Sequence, residues 1–585
     1  MNYNSWIDKK PFGAVKICEE VEITCESDFE KVFLILFKGY DEIFKTEMKK
    51  DDNDFTCKFK IDNEGVYNYH FEGVSNYQTF IFGKNEEDGS IKTFNYDYIN
   101  KYQITVYKDF TVPTWYKEGI LYNIFVDRFN NGNKNNKVDN PKKNSFIYAN
   151  WNDEPMYIKD DKGDILRWDF FGGNLKGVTE KLTYLSRLGV KTIYLNPIFE
   201  ARSNHKYDTA NYKNIDPMFG DENILKDLIE KEDKKGIKII LDGVFSHTGA
   251  DSIYFNRFSN YENRGAFNSR ESKYFDWFKF EEYPNKYESW WGIYDLPNVN
   301  ENNESYKNYI IHDKDSVLNK WINIGIKGFR LDVCDELPTS FLREFKKKLK
   351  EVDNDSVLVG EVWEDASNKV SYSETRSYLQ GEELDSIMGY PFRKNMVDFM
   401  KKNISSNQLT NRFVTMKENY PSEAFKSNLN ILSSHDTTRI LTELNHDKDL
   451  VKLSVLTQMT FEGVPYIYYG DEAGVDGTAD PLNRKTYPWK NEDLDMFDFY
   501  KKATSLRTKN DVLKYGETEF LYSIDDDIFG FVRTYQNEKL LVIINRFEKN
   551  KKIKSNNFKY VNAKLGKLEV GFDIDKKSYK ILKMN

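Results

Sequence analysis

Residues 328–333 read Gly-Phe-Arg-Leu-Asp-Val, a short apolar stretch that carries one arginine and one acid. Side chains of a β-strand alternate between its two faces, so we expect Arg330 and Asp332 to share one face while the apolar side chains share the other. Similar stretches carry Glu361 in Val-Leu-Val-Gly-Glu-Val-Trp and Asp436 in Leu-Ser-Ser-His-Asp. Ionised side chains are rarely buried unless they are paired or used. Three acids at the ends of apolar strands therefore predict one cleft with acid–base chemistry.

Apolar strands and amphipathic helices alternate on both sides of this stretch, from about residue 117 to about 507. Eight candidate strands can be counted, at 120–129, 192–199, 237–245, 328–333, 357–363, 384–392, 429–436 and 465–472. Helical periodicity lies between most of them, as at 175–188, 222–235, 315–324, 340–352 and 450–461. This pattern predicts a (β/α)8 TIM barrel, in which reactive groups lie at the carboxyl ends of the strands. The alternative is a doubly wound open sheet, but the glycine-rich phosphate turn that usually marks such a sheet is missing from the sequence.

Short alternating strands flank the barrel and predict a multidomain protein. Residues 1–115 alternate apolar and polar positions between turn residues, which is typical of a β-sandwich. Residues 508–585 return to this pattern and predict a C-terminal β-domain, so that the barrel would occupy 116–507. Within the barrel, the polar and aromatic stretch 248–300 follows the third strand. It predicts an inserted loop domain, because loops of this length are usually functional.

Charge and composition exclude several classes of partner. The 585 residues carry 94 acidic and 85 basic side chains, a net charge of −9 without a basic tract, which argues against nucleic acid. No apolar run approaches transmembrane length, and the first residues lack the apolar core of a signal peptide. We therefore predict a cytoplasmic protein without membrane contact. The four cysteines show no paired spacing, which favours reduced, structural thiols.

The neighbours of each acid favour a chemical use for it. A guanidinium beside Asp332 favours the ionised carboxylate that a nucleophile needs. Glu361 follows an apolar strand, and apolar surroundings suit a proton donor. The structural alternatives are an ion pair for Asp332 and a surface acid for Glu361. Three of the six histidines, His205, His247 and His435, also fall at or just beyond strand ends, but no zinc-binding spacing accompanies them.

Taken in order, four segments resemble the four signature regions of the α-amylase superfamily, glycoside hydrolase family 13. They are Asp242-Gly-Val-Phe-Ser-His247, Gly328-Phe-Arg-Leu-Asp-Val333, Gly360-Glu-Val-Trp363 and Ser434-His-Asp436. Further matches are Ile193-Tyr-Leu-Asn-Pro-Ile-Phe199, His205-Lys-Tyr-Asp-Thr209, Ile215-Asp-Pro-Met-Phe-Gly220 and Gly463-Val-Pro-Tyr-Ile-Tyr-Tyr-Gly-Asp-Glu472. Each match is short, but together they keep the order of the family and cover most of residues 117–490.

The resemblance implies a role for each acid in a retaining glycoside hydrolase. Asp332 would be the nucleophile, Glu361 the general acid and base, and Asp436 the side chain that stabilises the transition state. It also implies eight substrate contacts: Tyr207, Asp208, His247, Arg330, Trp363, His435, Asp480 and Arg484.

The segment Leu296-Pro-Asn-Val-Asn300 is similar to the Met-Pro-Lys-Leu-Asn of the neopullulanase, cyclomaltodextrinase and maltogenic amylase group. The segment Asp480-Pro-Leu-Asn-Arg484 and the N-terminal β-domain, which is starch-binding-like, also fit this group. The resemblance implies cleavage of α-1,4 bonds, with α-1,6 bonds left open, in cyclodextrins, pullulan or short maltodextrins. It further implies a homodimer formed through the N-terminal domain. The alternatives are a transglycosylase or isomerase on the same scaffold, a general α-amylase, and a non-enzymatic binding protein, which the presence of all three acids disfavours.

Members of this group often bind calcium through acids that this chain lacks. Residues 131–137 and 172–174 carry Asn133, Lys137 and Asn174 where the resemblance would place acids. Calcium needs charged oxygen ligands, and an ammonium group repels it. We therefore predict that the protein requires no cofactor and that calcium binds at most weakly.

Overall fold

The barrel that the sequence predicts is confirmed: eight strands pair in parallel, in the order of the chain, and close on themselves. A computed structural model describes residues 1–85, 89–95, 98–562, 568 and 570–584, and the rest of the predicted flanking domains lies outside these residues. The barrel closes where the first strand pairs with the eighth, with Leu121 opposite Tyr466. The strands are Ile120–Ile124, Val190–Leu195, Lys238–Gly243, Gly328–Leu331, Val357–Gly360, Ser386–Gly389, Leu429–Asn430 and Val464–Tyr468.

The helices around the barrel each bury an apolar face. In Thr339–Val352, the side chains of Phe341, Leu342, Phe345 and Leu349 recur every three or four residues and are fully buried. This is the spacing of one face of a helix. The helices after the N-terminal domain are Thr114–Glu118, Val126–Phe129, Leu175–Arg187, Glu222–Asp233, Glu304–Lys307, Val317–Ile324, Thr339–Val352, Tyr390–Met400, Ser406–Asn419, Ser422–Ser427, Ile440–Glu443, Lys448–Thr460, Leu494–Thr508 and Asp511–Tyr515.

Several barrel strands are shorter than the sequence predicts, because apolar runs continue beyond the last strand residue. The first strand ends at Ile124, and Val126–Phe129 form a buried helical turn. The sixth strand is followed at once by the helix Tyr390–Met400, and the seventh comprises only Leu429–Asn430. A short apolar run does not distinguish a strand from a buried helix.

Two sheets of mostly antiparallel strands form the N-terminal domain. The strand Gly65–Ser75 lies inside the larger sheet, with Lys31–Lys38 on one side and Tyr102–Tyr107 and Gln78–Lys84 on the other. Alternate side chains of Val21–Glu26, in the smaller sheet, are buried, as in a β-sandwich. The remaining elements are the helix Ser5–Asp8 and the strands Lys9–Lys10, Val15–Lys16, Asp41–Glu47, Lys49–Asp51, Asp54–Phe59 and Ile91–Phe94.

Buried polar groups join the N-terminal domain to the barrel. Lys84 pairs with Glu418 at 3.1 Å, and Gln103 Nε2 donates to Ser367 Oγ at 3.0 Å. Ser367 belongs to the loop that follows Glu361. The N-terminal domain therefore braces a loop beside one of the three acids.

The C-terminal domain is a five-stranded antiparallel sheet with a smaller two-stranded sheet. The five strands, in spatial order, are Phe558–Tyr560, Glu517–Ser523, Ile528–Tyr535, Glu538–Asn545 and Ser578–Met584. The smaller sheet pairs Lys551–Ile553 with Phe572–Ile574.

Two long segments lie over the carboxyl end of the barrel. The segment after the first strand pairs Phe146–Ile147 with Asp169–Phe170 and contains a hairpin of Ile158–Lys159 and Ile165–Arg167. The segment after the third strand is largely irregular apart from the short hairpin formed by Phe280–Glu282 and Lys286–Tyr287. Other short strands pair Phe199–Ala201 with Thr209–Ile215 and Val370–Ser371 with Glu374–Thr375. Within the described ranges, the helices are all too short or too polar to cross a bilayer.

Glu232 makes the stability of the barrel dependent on pH. This carboxyl group lies on the helix Glu222–Asp233, is 1% exposed, and burial raises its pKa to about 9. The folded state thus binds a proton that the unfolded state releases at about pH 4.3, so stability is lost as pH rises from there to 9. We expect Glu232→Gln, which is neutral at every pH, to raise the unfolding temperature at pH 9 and to change it little at pH 5. Each unit of pKa shift is worth about 1.4 kcal/mol.

Scanning calorimetry of both proteins at pH 5, 7 and 9 measures this effect. The control is Glu230→Gln on the same helix, where the side chain is 70% exposed. Equal pH profiles for Glu232→Gln and the unchanged protein would contradict the expectation.

Candidate active site

A cleft of about 1360 Å³ opens at the carboxyl ends of the barrel strands. Nine of the eleven side chains predicted to act on the substrate line it: Tyr207, Asp208, His247, Asp332, Glu361, Trp363, Asp436, Asp480 and Arg484. The other two, Arg330 and His435, are each 1% exposed and lie behind this lining, in contact with Asp332 and Asp436. The structure therefore brings all eleven side chains together.

The guanidinium of Arg330 lies at the centre of a cluster of acids. It pairs with Asp332 at 2.6 Å, with Asp242 at 2.9 Å and with Glu361 at 3.0 Å. The contact between Arg330 and Asp332 agrees with the alternation of side chains along the fourth strand. Because three carboxylates surround one cation, the cluster carries excess negative charge when all three are ionised.

Asp242 belongs to this cluster although the sequence did not single it out as a site residue. It lies in the third strand, where Tyr194 and Tyr207 donate their hydroxyl groups to Asp242 Oδ2 at 2.5 and 2.9 Å. An acid at the end of the apolar run Ile-Ile-Leu was the available signal, since buried charge is rare. Asp242 thereby connects Arg330 to Tyr207, which faces the cleft.

The carboxylate of Glu361 is held by two further donors. The backbone N–H of Val333 donates to Oε2 at 2.8 Å, and Trp363 Nε1 donates to Oε1 at 3.1 Å. Val333 adopts φ 37° and ψ 61°, a left-handed conformation that is strained for a β-branched residue. The ring of Trp363 stacks on Tyr390 with 3.9 Å between ring centroids. These contacts fix the acid next to Asp332.

Asp436 occupies a separate corner of the cleft, beside a histidine and an arginine. His435 Nε2 lies 2.9 Å from Asp436 Oδ2, and Arg484 Nη2 lies 3.6 Å from Asp436 Oδ1. Arg484 in turn pairs with Asp480 at 3.0 Å. The hydroxyl of Tyr207 lies 2.5 Å from His435 Nε2. This corner is connected through Tyr207 to the acid cluster around Arg330.

Burial and charge move the pKa values of two acids in opposite directions. Burial raises the pKa of Asp332, Arg330 opposes this and Glu361 adds to it, so that the pKa lies well above its ordinary value. Burial also raises the pKa of Asp436, but the adjacent histidine and Arg484 outweigh it, and the pKa lies below its ordinary value. Asp436 therefore stays ionised, whereas Asp332 belongs to a cluster that readily holds a proton.

His247 presents an unused nitrogen to the cleft. Its Nδ1 lies 3.0 Å from Ser246 Oγ, while Nε2 is buried without a hydrogen-bond partner among the described residues. Burial lowers the pKa of His247 to about 4, so the ring is neutral at neutral pH. Buried polar atoms are usually paired. Nε2 is therefore open to a hydroxyl group of a ligand.

Asp208 has a structural contact in addition to its place in the lining. Its carboxylate accepts the backbone N–H of Ser203 at 3.1 Å and also the hydroxyl of Ser203. These bonds close the turn 203–208, which carries Tyr207. Asp208 therefore positions Tyr207 as well as facing the cleft.

Long loops supply walls of the cleft that strand and helix periodicity could not place. Trp290 and Trp291 come from the predicted inserted loop domain, and Trp291 Nε1 donates to Glu336 Oε1 at 3.3 Å. Tyr157 and Trp168 come from the loop after the first strand. The aromatic composition of 248–300 signalled the first pair, whereas no signal in the sequence marked the second.

The loop at 131–137 lacks the chemistry of a calcium site. Asn174 Nδ2 donates to Asn131 Oδ1 at 3.2 Å, and Asn133 Nδ2 donates to Asp139 Oδ2 at 3.0 Å. The ammonium group of Lys137 lies 3.5 Å from Asp139 Oδ1. Amide N–H groups and an ammonium group thus occupy the oxygens that calcium would need. The residues present do not fit the ion.

Comparison with known proteins places these residues in one family. The model "Alpha amylase, catalytic domain" matches residues 123–494. An amylopullulanase of Thermoanaerobacterium thermosulfurigenes is 35% identical over 94% of this chain. The chain spans 33% of the length of that protein, and 48% and 40% of the length of two related amylopullulanases. A cyclomaltodextrinase of Thermoanaerobacter pseudethanolicus is 33% identical over 91% of this chain and 89% of its own length. The solved structure of the type III pullulan hydrolase from Thermococcus kodakarensis has a TM-score of 0.70 and 26% identity, covering 97% of this chain and 98% of its own.

We expect added calcium and chelators to leave the unfolding temperature unchanged and calorimetric titration with calcium to give no binding heat. The positive control is the triple variant Asn133→Asp, Lys137→Asp, Asn174→Asp, which restores acids to the loop. If the site is restored, calcium at a hundred times its Kd stabilises this variant by about 2.7 kcal/mol. A calcium-dependent rise in the unfolding temperature of the unchanged protein would contradict the expectation.

Proposed function

Because the chain belongs to the α-amylase family of glycoside hydrolases, we propose that it cleaves α-1,4-glucosidic bonds of cyclodextrins, pullulan or short maltodextrins and retains the anomeric configuration. The observation that carries this proposal is the convergence of Asp332, Glu361 and Asp436 on one cleft. Relatives named cyclomaltodextrinase and amylopullulanase support an α-glucan as the substrate.

In the first step, a carboxylate oxygen of Asp332 attacks the anomeric carbon. Glu361 gives its proton to the glycosidic oxygen as the bond between that oxygen and the anomeric carbon breaks. The leaving glucan departs as a neutral alcohol, and the glycosyl group remains as an ester on Asp332. Arg330 contacts both carboxylates and thus holds nucleophile and proton donor side by side.

In the second step, Glu361 acts as a base. It takes a proton from water, the water oxygen attacks the anomeric carbon, and the bond to Asp332 breaks. Both carboxyl groups return to their starting protonation states. Two successive inversions give net retention.

Asp436 and its neighbours act on the reacting sugar. Positive charge develops on the sugar ring in the transition state, and an ionised carboxylate stabilises it. The lowered pKa of Asp436 keeps this group anionic over the working range of pH. His247 Nε2 can donate to or accept from a sugar hydroxyl group, and Arg484 donates to such groups. Tyr207, whose ring lies parallel to His435 at 5.5 Å, offers an aromatic surface.

A homodimer formed through the N-terminal domain is also part of this proposal. Tyr40 and Tyr77 lie at hairpin tips of that domain with fully exposed rings. Aromatic side chains are enriched in protein interfaces. Sedimentation velocity over a range of concentrations tests it, and a monomer at all concentrations would refute the dimer without affecting the catalytic assignment.

We expect Glu361→Gln to lower the rate on unactivated α-glucans by about 10²–10⁴-fold, because the leaving oxygen then receives no proton. The same variant should still form the glycosyl ester from α-maltosyl fluoride, since fluoride leaves without protonation. Asp332→Asn should fail with both substrates. Mass spectrometry detects the ester and a reducing-sugar assay measures turnover.

The matched control is Glu374→Gln, an exposed acid in the same loop region, which should react at the normal rate. Because Asp332 must be ionised to attack, activity of the unchanged protein should fall as pH drops through its raised pKa. Equal rates for Glu361→Gln and the control on starch would remove Glu361 from its role.

We expect β-cyclodextrin, pullulan and short maltodextrins to be cleaved faster than starch. Each is incubated separately with the protein, and initial rates and products are compared by chromatography. Faster cleavage of starch with long products would support a general α-amylase instead. Abundant products longer than the substrate would indicate a transglycosylase.

A further inference from the structure

The hairpin 157–168 forms a wall of the cleft whose role the catalytic assignment does not explain. Its two short strands, Ile158–Lys159 and Ile165–Arg167, pair in antiparallel fashion. Six of its side chains or backbone groups line the cleft: Tyr157, Lys159, Gly163, Asp164, Ile165 and Trp168. A segment that contributes so much lining also limits what the cleft can hold.

Internal hydrogen bonds close the tip of the hairpin. Asp160 Oδ1 accepts the backbone N–H of Lys162 at 2.9 Å and that of Asp164 at 3.0 Å. The backbone N–H of Asp160 donates to the carbonyl of Asp164 at 2.9 Å. An aspartate that bonds the backbone in this way stabilises a turn. The tip is therefore a defined obstacle in the cleft.

Direct contacts connect the hairpin to the corner of the cleft that holds Asp436. Tyr157 Oη donates to Asp480 Oδ2 at 2.5 Å, and Asp480 pairs with Arg484 at 3.0 Å. Arg484 Nη2 lies 3.6 Å from Asp436 Oδ1. At the base of the hairpin, the ring of Trp168 packs edge-on against His205 at 4.8 Å. The hairpin therefore stands at the Asp436 end of the cleft.

The opposite end of the cleft lies beyond Glu361. There Trp363 donates to Glu361, and Lys369 pairs with Asp335 at 3.2 Å. If Glu361 protonates the leaving oxygen, as the proposed function requires, the leaving part of the glucan extends toward Trp363. The glycosyl part that stays on the enzyme then extends toward the hairpin.

We propose that the hairpin 157–168 is an end wall for the glycosyl part of the substrate and sets how many glucose units the enzyme transfers to water. The wall belongs to the same chain as the acids, so a single copy of the protein suffices to build it. For linear α-glucans, including the linear product of an opened ring, the wall places the cut a short, fixed distance from the non-reducing end. This inference rests on the proposed function.

Maltoheptaose with a fluorescent label at its reducing end tests the proposal. The length of the labelled fragment reports the position of the cut, and hence the length of the glycosyl part. Ile165→Ala removes side-chain volume from the wall, and Ile165→Trp adds it. The matched control is Leu166→Ala, because Leu166 is 54% exposed and does not line the cleft. A shortened hairpin, with residues 160–164 replaced by Gly-Gly, is the stronger variant.

Ile165→Ala and the shortened hairpin should transfer longer glycosyl parts, Ile165→Trp shorter ones, and the control should cut as the unchanged protein does. The loss or gain of a side-chain contact of this size changes the preference between two cut positions roughly tenfold. The distribution of cut positions should also be the same at all protein concentrations.

The proposal would be overturned if the Ile165 variants are active and still cut at the original position. These two variants are sufficient for the test if the shortened hairpin does not fold. A dependence on concentration would also overturn it, because the wall would then come from a second copy. If the unchanged protein cleaves no α-glucan, the proposed function itself fails.

Discussion

The buried guanidinium of Arg330 is the interaction on which the site depends. Carboxylates taken out of water need a cation or several donors nearby, and removing the cation from such a group is strongly destabilising. The register of the barrel supplies the geometry: Asp242 lies opposite Arg330 across one strand pair, and Leu331 lies opposite Gly360, which precedes Glu361, across the next. Three consecutive strands therefore each contribute one acid to the same cation.

Two aspartates of the site differ in their affinity for protons because the surroundings of each acid differ. Asp436 has a histidine and Arg484 beside it, and it stays ionised although it is sheltered from water. Asp332 shares its single cation with two other acids, and its affinity for protons rises. A closed parallel barrel can separate such environments by a few ångströms, because each strand ends in its own loop.

The sequence predicted the barrel and the three acids because both follow from short-range signals, whereas the eight further side chains of the cluster were implied by the resemblance of the short motifs to a known family. Alternation placed Arg330 and Asp332 on one face, and the order of the short motifs placed Glu361 and Asp436 just after the fifth and seventh strands. The cleft walls could not be predicted in this way. The hairpin 157–168 has neither a helical nor a sustained strand period, and its position depends on contacts such as that between Tyr157 and Asp480, which are far apart along the chain. The predicted strands extend beyond the observed strand ends, because apolar residues also fill the turns that cover the barrel.

The left-handed backbone of Val333 connects two of the clustered acids through a single peptide unit. The residue directly follows Asp332, and its N–H group holds Glu361. A β-branched residue in this conformation costs about 1–3 kcal/mol, which the surrounding barrel sustains. The chain therefore gives up some thermodynamic stability where it needs two acids in fixed register. Folding and the proposed reaction thus place opposing demands on the same residue.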